Sequence, residues 1–207
     1  ITLAPAVSLD GRYVAFASYS TNLVSGDTNA SVDVFVRDRL LGTTERVNVD
    51  SNGNQTTDLV GPYLVVITMS DDGRYVAFNS KDSGLIPNDV NPWSDLFVRD
   101  RWKGVTELVH ISSTGEQGNG FSLVGSISRN GRYATFKSMA TNLTTGPTSM
   151  LGDVFLHDRM TGGPDVDLAN VFAGQTATLT ITGATPGGVV VLGASLLGQG
   201  ILPTAWG

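Results

Sequence analysis

The hexapeptide Gly11-Arg12-Tyr13-Val14-Ala15-Phe16 recurs as Gly73-Arg74-Tyr75-Val76-Ala77-Phe78 and again as Gly131-Arg132-Tyr133-Ala134-Thr135-Phe136. In each copy a second landmark begins 22 residues after the Gly, without a gap: Asp33-Val34-Phe35-Val36-Arg37-Asp38-Arg39, Asp95-Leu96-Phe97-Val98-Arg99-Asp100-Arg101 and Asp153-Val154-Phe155-Leu156-His157-Asp158-Arg159. Self-similarity at a long period is typical of architectures in which each unit buries its apolar surface against its neighbours. The chain therefore contains three copies of one repeat of about sixty residues.

Each repeat is predicted to consist of β-strands. The pairs Asp10-Gly11, Asp72-Gly73 and Asn130-Gly131 indicate tight turns, because Gly takes positive φ freely and Asn or Asp tolerates it. The predicted second strand, Tyr13–Ser18, and third strand, 34–37, have apolar residues on both faces of the pleat. Both faces must then be covered by neighbouring sheets. Fourth strands are predicted at 44–49 and 106–111.

The pattern Ser-x-Asp-Gly-Arg-Tyr-Val-Ala-Phe, followed by Asp-Val-Phe-Val-Arg-Asp-Arg, resembles the repeats of TolB-like β-propellers, which are common in exported bacterial proteins. The resemblance implies an all-β fold with four-stranded blades at about 1–56, 57–118 and 119–162. A ring of this family has about six or seven blades, so three blades form a partial propeller. The family implies a binding platform or an appendage to enzymes, and the repeat motif itself implies no catalysis.

The third copy departs from the pattern after Arg159, because the fourth-strand sequence of the other copies is not repeated there. Its last strand is expected to come from elsewhere or to be missing. Residues 163–207 are predicted to be a C-terminal β segment that is truncated or completes the third blade, with strands at 176–182 and 189–192. Alternatively, 176–182 fills the empty fourth position and protects that edge.

Composition limits the classes of partner. The net charge of −6 and the pI near 4.7 disfavour nucleic acid, which needs clustered Lys and Arg. The sequence has no run of eighteen apolar residues, so no membrane-spanning helix is predicted. The absence of Cys excludes disulfides and thiolate chemistry. The first residue is Ile1, so we expect that a signal peptide has been removed or that the sequence begins inside a longer gene. The resemblance implies a secreted or periplasmic protein.

Acidic loops before the third strands predict metal binding. Copies one and two share the pattern Asp-x-Asn-x-x-x-Asp, which gives the candidate ligands Asp27, Asn29, Asp33, Asp89, Asn91 and Asp95. Oxygens spaced in this way suit a divalent cation, calcium above all. Copy three has Pro147, Ser149 and Asp153 at these places, so its site should be empty or weak. The alternative is that these residues cap turns through side-chain-to-backbone hydrogen bonds.

Two further polar features have structural alternatives. The loop from Asp50 to Asp58 has oxygens spaced somewhat like an EF-hand loop, but it lacks the closing Glu, and its Asn52-Gly53 pair favours a plain hairpin turn. The pair Asp38-Arg39 recurs in all three copies. It is therefore predicted to have the same structural role in every blade, with the carboxylate on turn N–H groups and the guanidinium on the carboxylate or on a neighbouring blade.

Two classes of function follow. The chain is predicted to be an exported binding or structural module with calcium-type loops; the alternative is a metal-dependent hydrolase of phosphoesters or other activated esters. In the alternative, His110 or His157 serves as ligand or general base, because both depart from the repeat. A serine-hydrolase triad would also have to use one of them. A solvated polar residue at a strand end is the structural alternative for both.

Three blades leave apolar sheet faces or edges exposed, which favours association. The sequence therefore predicts a homodimer that closes a six-bladed ring or packs its open ends together. The alternative is that residues 164–207 cap the open end.

Overall fold

The structure is a computed structural model that describes residues 2–55, 66–146, 148–149, 151–159, 163–167 and 180–181. The described residues form three antiparallel sheets and contain no helix. Among them, no helix has the length and apolar character needed to cross a membrane. The predicted strand at 189–192, residues 182 to 207 and most of 176–182 lie outside the described residues.

Each sheet is built from one repeat, and its strands are hydrogen-bonded in chain order. The first sheet contains β1 (Thr2–Val7), β2 (Tyr13–Ser18), β3 (Asp33–Asp38) and β4 (Thr43–Arg46). The second contains β5 (Ile67–Met69), β6 (Tyr75–Ser80), β7 (Asp95–Asp100) and β8 (Val105–Leu108). The third contains β9 (Ser122–Ile127), β10 (Tyr133–Ser138), β11 (Asp153–Asp158), β12 (Gly163–Asp167) and β13 (Thr180–Ile181).

The sheets stack face to face as blades of a propeller. One buried apolar cluster lies between blades one and two and includes Val34, Val36 and Phe78. A second lies between blades two and three and includes Val98 and Phe136. The middle blade is thus covered on both faces, which explains why its inner strands are apolar on both sides of the pleat. The predicted all-β fold of propeller blades is confirmed.

The predicted Asp-Gly turn joins the first two strands of each blade and also sets the distance between blades. Gly73 has φ +70°, which a residue with a side chain rarely adopts. A Cβ at Gly73 would lie 2.3 Å from the Tyr13 ring of the preceding blade. Glycine is therefore required there by the turn and by the close approach of the two blades.

The fourth position of the third sheet is occupied by β12, which pairs antiparallel with β11. This strand follows β11 directly in the chain, although its sequence does not resemble β4 or β8. The short strand β13 pairs with β12 as a fifth strand. This part of the segment 176–182 therefore lies in the fifth position of the sheet, and not in the fourth position that the alternative predicted.

Candidate functional site

The candidate ligands lie where the long loop between the second and third strands of blades one and two enters the third strand. Asp33 and Asp95 begin β3 and β7, and both carboxylates are completely buried. A buried carboxylate needs hydrogen-bond donors or a counter-charge, because it has lost its hydration. The donors around these two residues therefore decide whether either loop can hold a cation.

In the first blade, the cation near the acidic residues is the guanidinium of Arg46. Arg46 Nη1 lies 3.0 Å from Asp33 Oδ2 and 3.3 Å from Asp27 Oδ1. Asn48 Nδ2 donates to Asp33 Oδ1 at 2.7 Å, and Asn29 Nδ2 lies 3.2 and 3.3 Å from its two oxygens. Burial and the neighbouring Asp33 carboxylate raise the pKa of Asp27, while Arg46 opposes that shift.

In the second blade, amide nitrogens take the place of the guanidinium, because position 108 is Leu where the first repeat has Arg46. Gln117 Nε2 donates to Asp89 Oδ1 at 2.7 Å and to Asp95 Oδ2 at 2.6 Å. Asn91 Nδ2 adds a contact of 3.1 Å to the same Asp95 oxygen. The loop is thus bridged to the segment after β8 by Gln117.

His110 completes the shell of Asp95 and connects the second blade to the third. Its Nδ1 is hydrogen-bonded to Asp95 Oδ1, and its Nε2 lies 2.7 Å from Ser138 Oγ on β10. The order hydroxyl, imidazole, carboxylate is that of a catalytic triad. All three side chains are buried, however, and Ser138 Oγ also accepts the Ala140 N–H at 2.9 Å. The arrangement is a structural link between blades rather than an exposed nucleophile.

The geometry does not fit calcium, which is bound by oxygen atoms. Asn29 Oδ1 accepts the Ser31 N–H at 3.0 Å, and Asn91 Oδ1 accepts the Trp93 N–H at 2.7 Å. Both amides therefore turn their nitrogens, which repel a cation, toward the carboxylates. In the described part of the chain, no three acidic or His side chains are grouped so that they could hold a metal ion. Calcium is a prediction from the sequence pattern that these side-chain contacts do not support, and a melting experiment tests it.

The equivalent turn is kept in the third copy without the acidic pattern. Ser149 N–H donates to Asp153 Oδ2 at 2.8 Å, and Ser149 Oγ accepts the Leu151 N–H at 3.1 Å. Pro147 lies outside the described residues. The same side-chain-to-backbone hydrogen bond therefore fixes the backbone two residues further on in all three copies, after Asn29, Asn91 and Ser149.

The second acidic loop is a self-contained turn. Asp50 Oδ1 accepts the N–H groups of Asn52 at 2.9 Å and Asn54 at 2.7 Å. Burial raises the pKa of Asp50, but the hydrogen bonds from Asn54 and Asn52 outweigh it, and the pKa is lowered. Asp58, which the calcium hypothesis also needs, lies outside the described residues.

His157 is buried on β11 and is not available to a substrate. Burial, and then the nearby Arg159 charge, lower its pKa to about 4, so the imidazole is neutral at pH 7. Its Nδ1 has no hydrogen-bond partner within the described ranges. Neither His110 nor His157 is therefore the solvated residue that the structural alternative predicted.

The predicted role of the Asp-Arg pair is confirmed in part. The carboxylates of Asp38 and Asp100 accept turn N–H groups, and Arg101 and Arg159 bind glutamates of the preceding blade, whereas the Arg39 guanidinium binds only the Gly11 carbonyl of its own blade in the described part of the chain. Asp38 accepts the N–H groups of Leu40 and Leu41 in the following turn, and Arg12 binds it through Nε and Nη2. The hydrogen bonds from Arg12 lower the pKa of Asp38 to about 2, against the effect of burial. Asp100 and Asp158 are bound in the same way by Arg74 and Arg132.

Exposed apolar side chains lie on the same loops as the candidate ligands. Their exposed fractions are 40% for Tyr19, 78% for Val90, 48% for Trp93, 50% for Met139 and 78% for Leu151. The loops that join the second and third strands all emerge at one end of the blades, because each blade has the same strand order. This end of the blades, called the loop face below, therefore presents apolar groups to solvent.

The donors that satisfy the buried carboxylates, Arg46, Asn48 and Gln117, were not predicted, and neither was Ser138, the partner of His110. The signal was present in the repeat alignment, since Arg46 and Asn48 in copy one become Leu108 and His110 in copy two. Two departures so close together indicate that one buried group has changed its partners.

Comparison with known proteins gives similarity at the level of solved structures. No protein-family model and no curated protein matches the chain. TolB from Acinetobacter baumannii is similar with 16% identity and a TM-score of 0.48, over 79% of this chain and 31% of that chain. The β-propeller domain of the Trilobed protease from Pyrococcus furiosus is similar with 10% identity and a TM-score of 0.45, over 76% of this chain and 40% of that chain.

The solved structures similar to this chain thus include TolB and another β-propeller protein, as the resemblance of the repeats predicts. The chain spans less than half the length of each of these two proteins. The assignment to propeller blades rests on the three stacked sheets of the chain itself.

Proposed function

We propose that the chain is a binding module whose loop face recognises an apolar segment of another protein. The observation that carries the proposal is the set of apolar side chains exposed on the loops of all three blades. Isolated exposed apolar residues are common on protein surfaces, but a group of them on loops held by a rigid scaffold is typical of a recognition surface.

A constant turn presents a different side chain in each blade. The Asx-type turn at Asn29, Asn91 and Ser149 fixes the backbone of the next residue but one. That residue is Ser31 in blade one, Trp93 in blade two and Leu151 in blade three. Conserved geometry with a variable side chain is what a repeat module needs to recognise an irregular partner.

The residue types favour a polypeptide over a polyanion or a sugar polymer. The net charge of −6 opposes a polyanion. Trp93 alone could stack on a sugar ring, but Val90, Met139 and Leu151 supply aliphatic surface that packs on apolar side chains. We further propose an extracytoplasmic location, supported by the resemblance to exported propeller repeats, and a homo-oligomeric state, supported by the half-buried Phe16 on the outer face of blade one.

The metal-dependent hydrolase has no comparable support. His110 and His157 are buried, and the carboxylates of the first two loops face guanidinium and amide groups. No observation therefore favours it as a second proposal.

Tryptophan fluorescence tests the loop face directly. Trp93 lies on it, whereas Trp102 lies in the turn after β7 at the opposite end of the second blade, and Trp206 lies outside the described residues. Trp102→Phe/Trp206→Phe leaves Trp93 as the reporter, and Trp93→Phe/Trp206→Phe leaves Trp102 as its matched control. A reduced, carboxymethylated polypeptide that contains no tryptophan is the polypeptide probe, and soluble xylan is the polysaccharide probe.

We expect the polypeptide to shift the Trp93 emission saturably and to leave the Trp102 emission unchanged. Leu151→Asp should weaken that response, because it places a charge on the same surface. A response to xylan alone, an equal response of both reporters, or no response to the polypeptide contradicts the proposal.

A further inference from the structure

The joint between blades one and two contains a specific Arg-Tyr-Glu contact. The Arg101 guanidinium of blade two lies 4.4 Å from the centre of the Tyr13 ring of blade one. Its Nε donates to Glu45 on β4 of blade one at 2.6 Å. The Arg12 guanidinium lies 4.7 Å from the centre of the same ring, so Tyr13 is in contact with two guanidinium groups.

The joint between blades two and three repeats this contact. Arg159 lies 4.2 Å from the centre of the Tyr75 ring and binds Glu107 through Nε. In both joints the arginine is also held by the carbonyl of its own blade's turn glycine, Gly73 or Gly131. Blades one and two therefore carry one half of the joint at each face: an arginine toward the preceding blade, and a tyrosine with a glutamate toward the following one. In blade three the residue paired with Leu156 is Val166, so the tyrosine is repeated there but the glutamate is not.

The two outer blades expose the unused halves. Arg39 of blade one is held by the Gly11 carbonyl at 2.8 Å, as its two counterparts are, but it is exposed. Among the described residues, no tyrosine ring or carboxylate lies against it. At the other end, the half-buried Tyr133 ring has a guanidinium contact with Arg132 of its own blade, at 4.9 Å, and none with a second arginine within the described ranges.

Backbone hydrogen bonds between the turns show the same polarity. The Leu9 N–H donates to the Asp71 carbonyl at 2.9 Å, and the Asp71 N–H donates to the Arg129 carbonyl at 2.9 Å. These three residues are equivalent in the three repeats. In the described part of the chain, the Leu9 carbonyl has no backbone donor and the Arg129 N–H has no backbone acceptor. The series is open at both ends and is complementary to itself.

The outer face of blade one keeps the apolar residues of a joint. Phe16 is half-buried, whereas its equivalents Phe78 and Phe136 are fully buried against the preceding blade. An exposed apolar sheet face of this kind is a site for association with a complementary sheet. The face that fits it is a blade of this same repeat.

We propose that two copies of the chain associate head to tail, with Arg39 of each copy placed on Tyr133 of the other. Both joints are identical, so the two three-bladed chains close one six-bladed ring. The inference deepens the homo-oligomer proposed above by naming its contacts and polarity. It is independent of the ligand of the loop face.

The joint between copies is weaker than the joints within a chain. Blade three carries Thr135 and Lys137 at the positions of Ala15 and Ala17 in blade one, so less apolar area is buried there. The dimer should therefore dissociate reversibly on dilution. Thr135 and Lys137 also disfavour non-specific stacking of the exposed sheet faces of separate chains.

Sedimentation velocity on the full chain from about 0.5 to 100 µM tests this association. We expect a monomer–dimer equilibrium whose dissociation constant rises at least tenfold in Arg39→Glu and in Tyr133→Leu and is unchanged in the control. Lys103→Glu is the matched control for the charge reversal, because Lys103 is exposed on the middle blade, away from both open ends. Far-UV circular dichroism confirms that each variant remains folded.

Mixing the two defective chains determines the polarity. A head-to-tail ring of one Arg39→Glu chain and one Tyr133→Leu chain contains one native joint, so heterodimers should form more readily than either homodimer. A wild-type chain that stays monomeric at every concentration overturns the homo-oligomer and this inference together. A dimer that neither variant weakens, or that only Arg39→Glu weakens without rescue on mixing, overturns the head-to-tail joint alone.

Discussion

His110→Asn is expected to destabilise the second blade, although Asn is the residue that the first repeat has at this position. In the first blade Asn48 Nδ2 reaches Asp33 Oδ1 at 2.7 Å, so the substituted chain keeps a donor to the Asp95 carboxylate. It loses the contact of 2.7 Å between the imidazole and Ser138 Oγ. Ser138 Oγ keeps the Ala140 N–H, so one buried hydrogen bond is lost, and we expect a decrease of about 0.5–1.5 kcal/mol in the free energy of unfolding.

Leu108→Arg should offset part of this loss by adding a charge-assisted hydrogen bond to Asp95, although it does not replace the contact with Ser138. Leu108 pairs with Phe97 in the register in which Arg46 pairs with Phe35. An arginine there can approach Asp95 as Arg46 approaches Asp33, at about 3.0 Å. In the wild-type background, by contrast, the same substitution removes apolar packing from a carboxylate that already has its donors, and it should destabilise.

Urea unfolding of the wild type, the two single variants and the double variant measures the coupling. The change in unfolding free energy of the double variant should be smaller than the sum of the single changes by about 1 kcal/mol or more. Circular dichroism and Trp fluorescence must give the same midpoint for each chain, because repeat proteins can lose cooperativity. Additivity within about 0.5 kcal/mol refutes the exchange of partners between the two carboxylates.

Two further predictions concern pH and metal. The pKa of His157 is lowered to about 4 in the folded chain, so the unfolded chain takes up the proton first as the pH falls below about 6.5. Stability should fall by up to about 3 kcal/mol between pH 6.5 and 4, and His157→Gln should flatten this slope; an unchanged slope contradicts the assignment. Carboxylates such as Asp38, with a pKa lowered to about 2, lose their contribution only below about pH 4. After chelator treatment, millimolar calcium should leave the melting temperature unchanged, whereas Asp33→Ala should lower it, because Arg46 and Asn48 lose a buried partner; a rise with calcium contradicts the fit of the loops described above.

The fold was predictable because its signals are local and repeated. The turn at Gly73 needs positive φ, and the strand Tyr75–Ser80 is apolar on both faces, so a covered sheet follows from the sequence. The strand Gly163–Asp167 was not predicted, because a short segment with Gly and Pro has no strand pattern. Its pairing with β11 includes a register shift after Leu156, which no alternation of residues indicates.

The candidate site was predictable in position but not in chemistry. The pattern from Asp27 to Asp33 located the loop where polar side chains meet, yet side-chain spacing alone does not tell an oxygen cage from a capped turn. The difference is made by Arg46 and Gln117, which come from beyond the third strand and reach the loop only in the folded blade. The direction of the amide of Asn91 is likewise set by the Trp93 N–H, a contact between backbone and side chain that composition does not specify.

The buried polar groups also distinguish the blades from one another. The apolar strands of the three repeats are so similar that their sheets could in principle stack in other orders. Asp33 requires Arg46 of its own blade, whereas His110 of blade two reaches Ser138 of blade three and is complete only when that blade follows. A polar link that is satisfied in one order and unsatisfied in another penalises the wrong order by the cost of an unpaired buried group, about 1–3 kcal/mol. Specificity of blade order therefore lies in the departures from the repeat, while the stability of each blade lies in the residues that the repeats share.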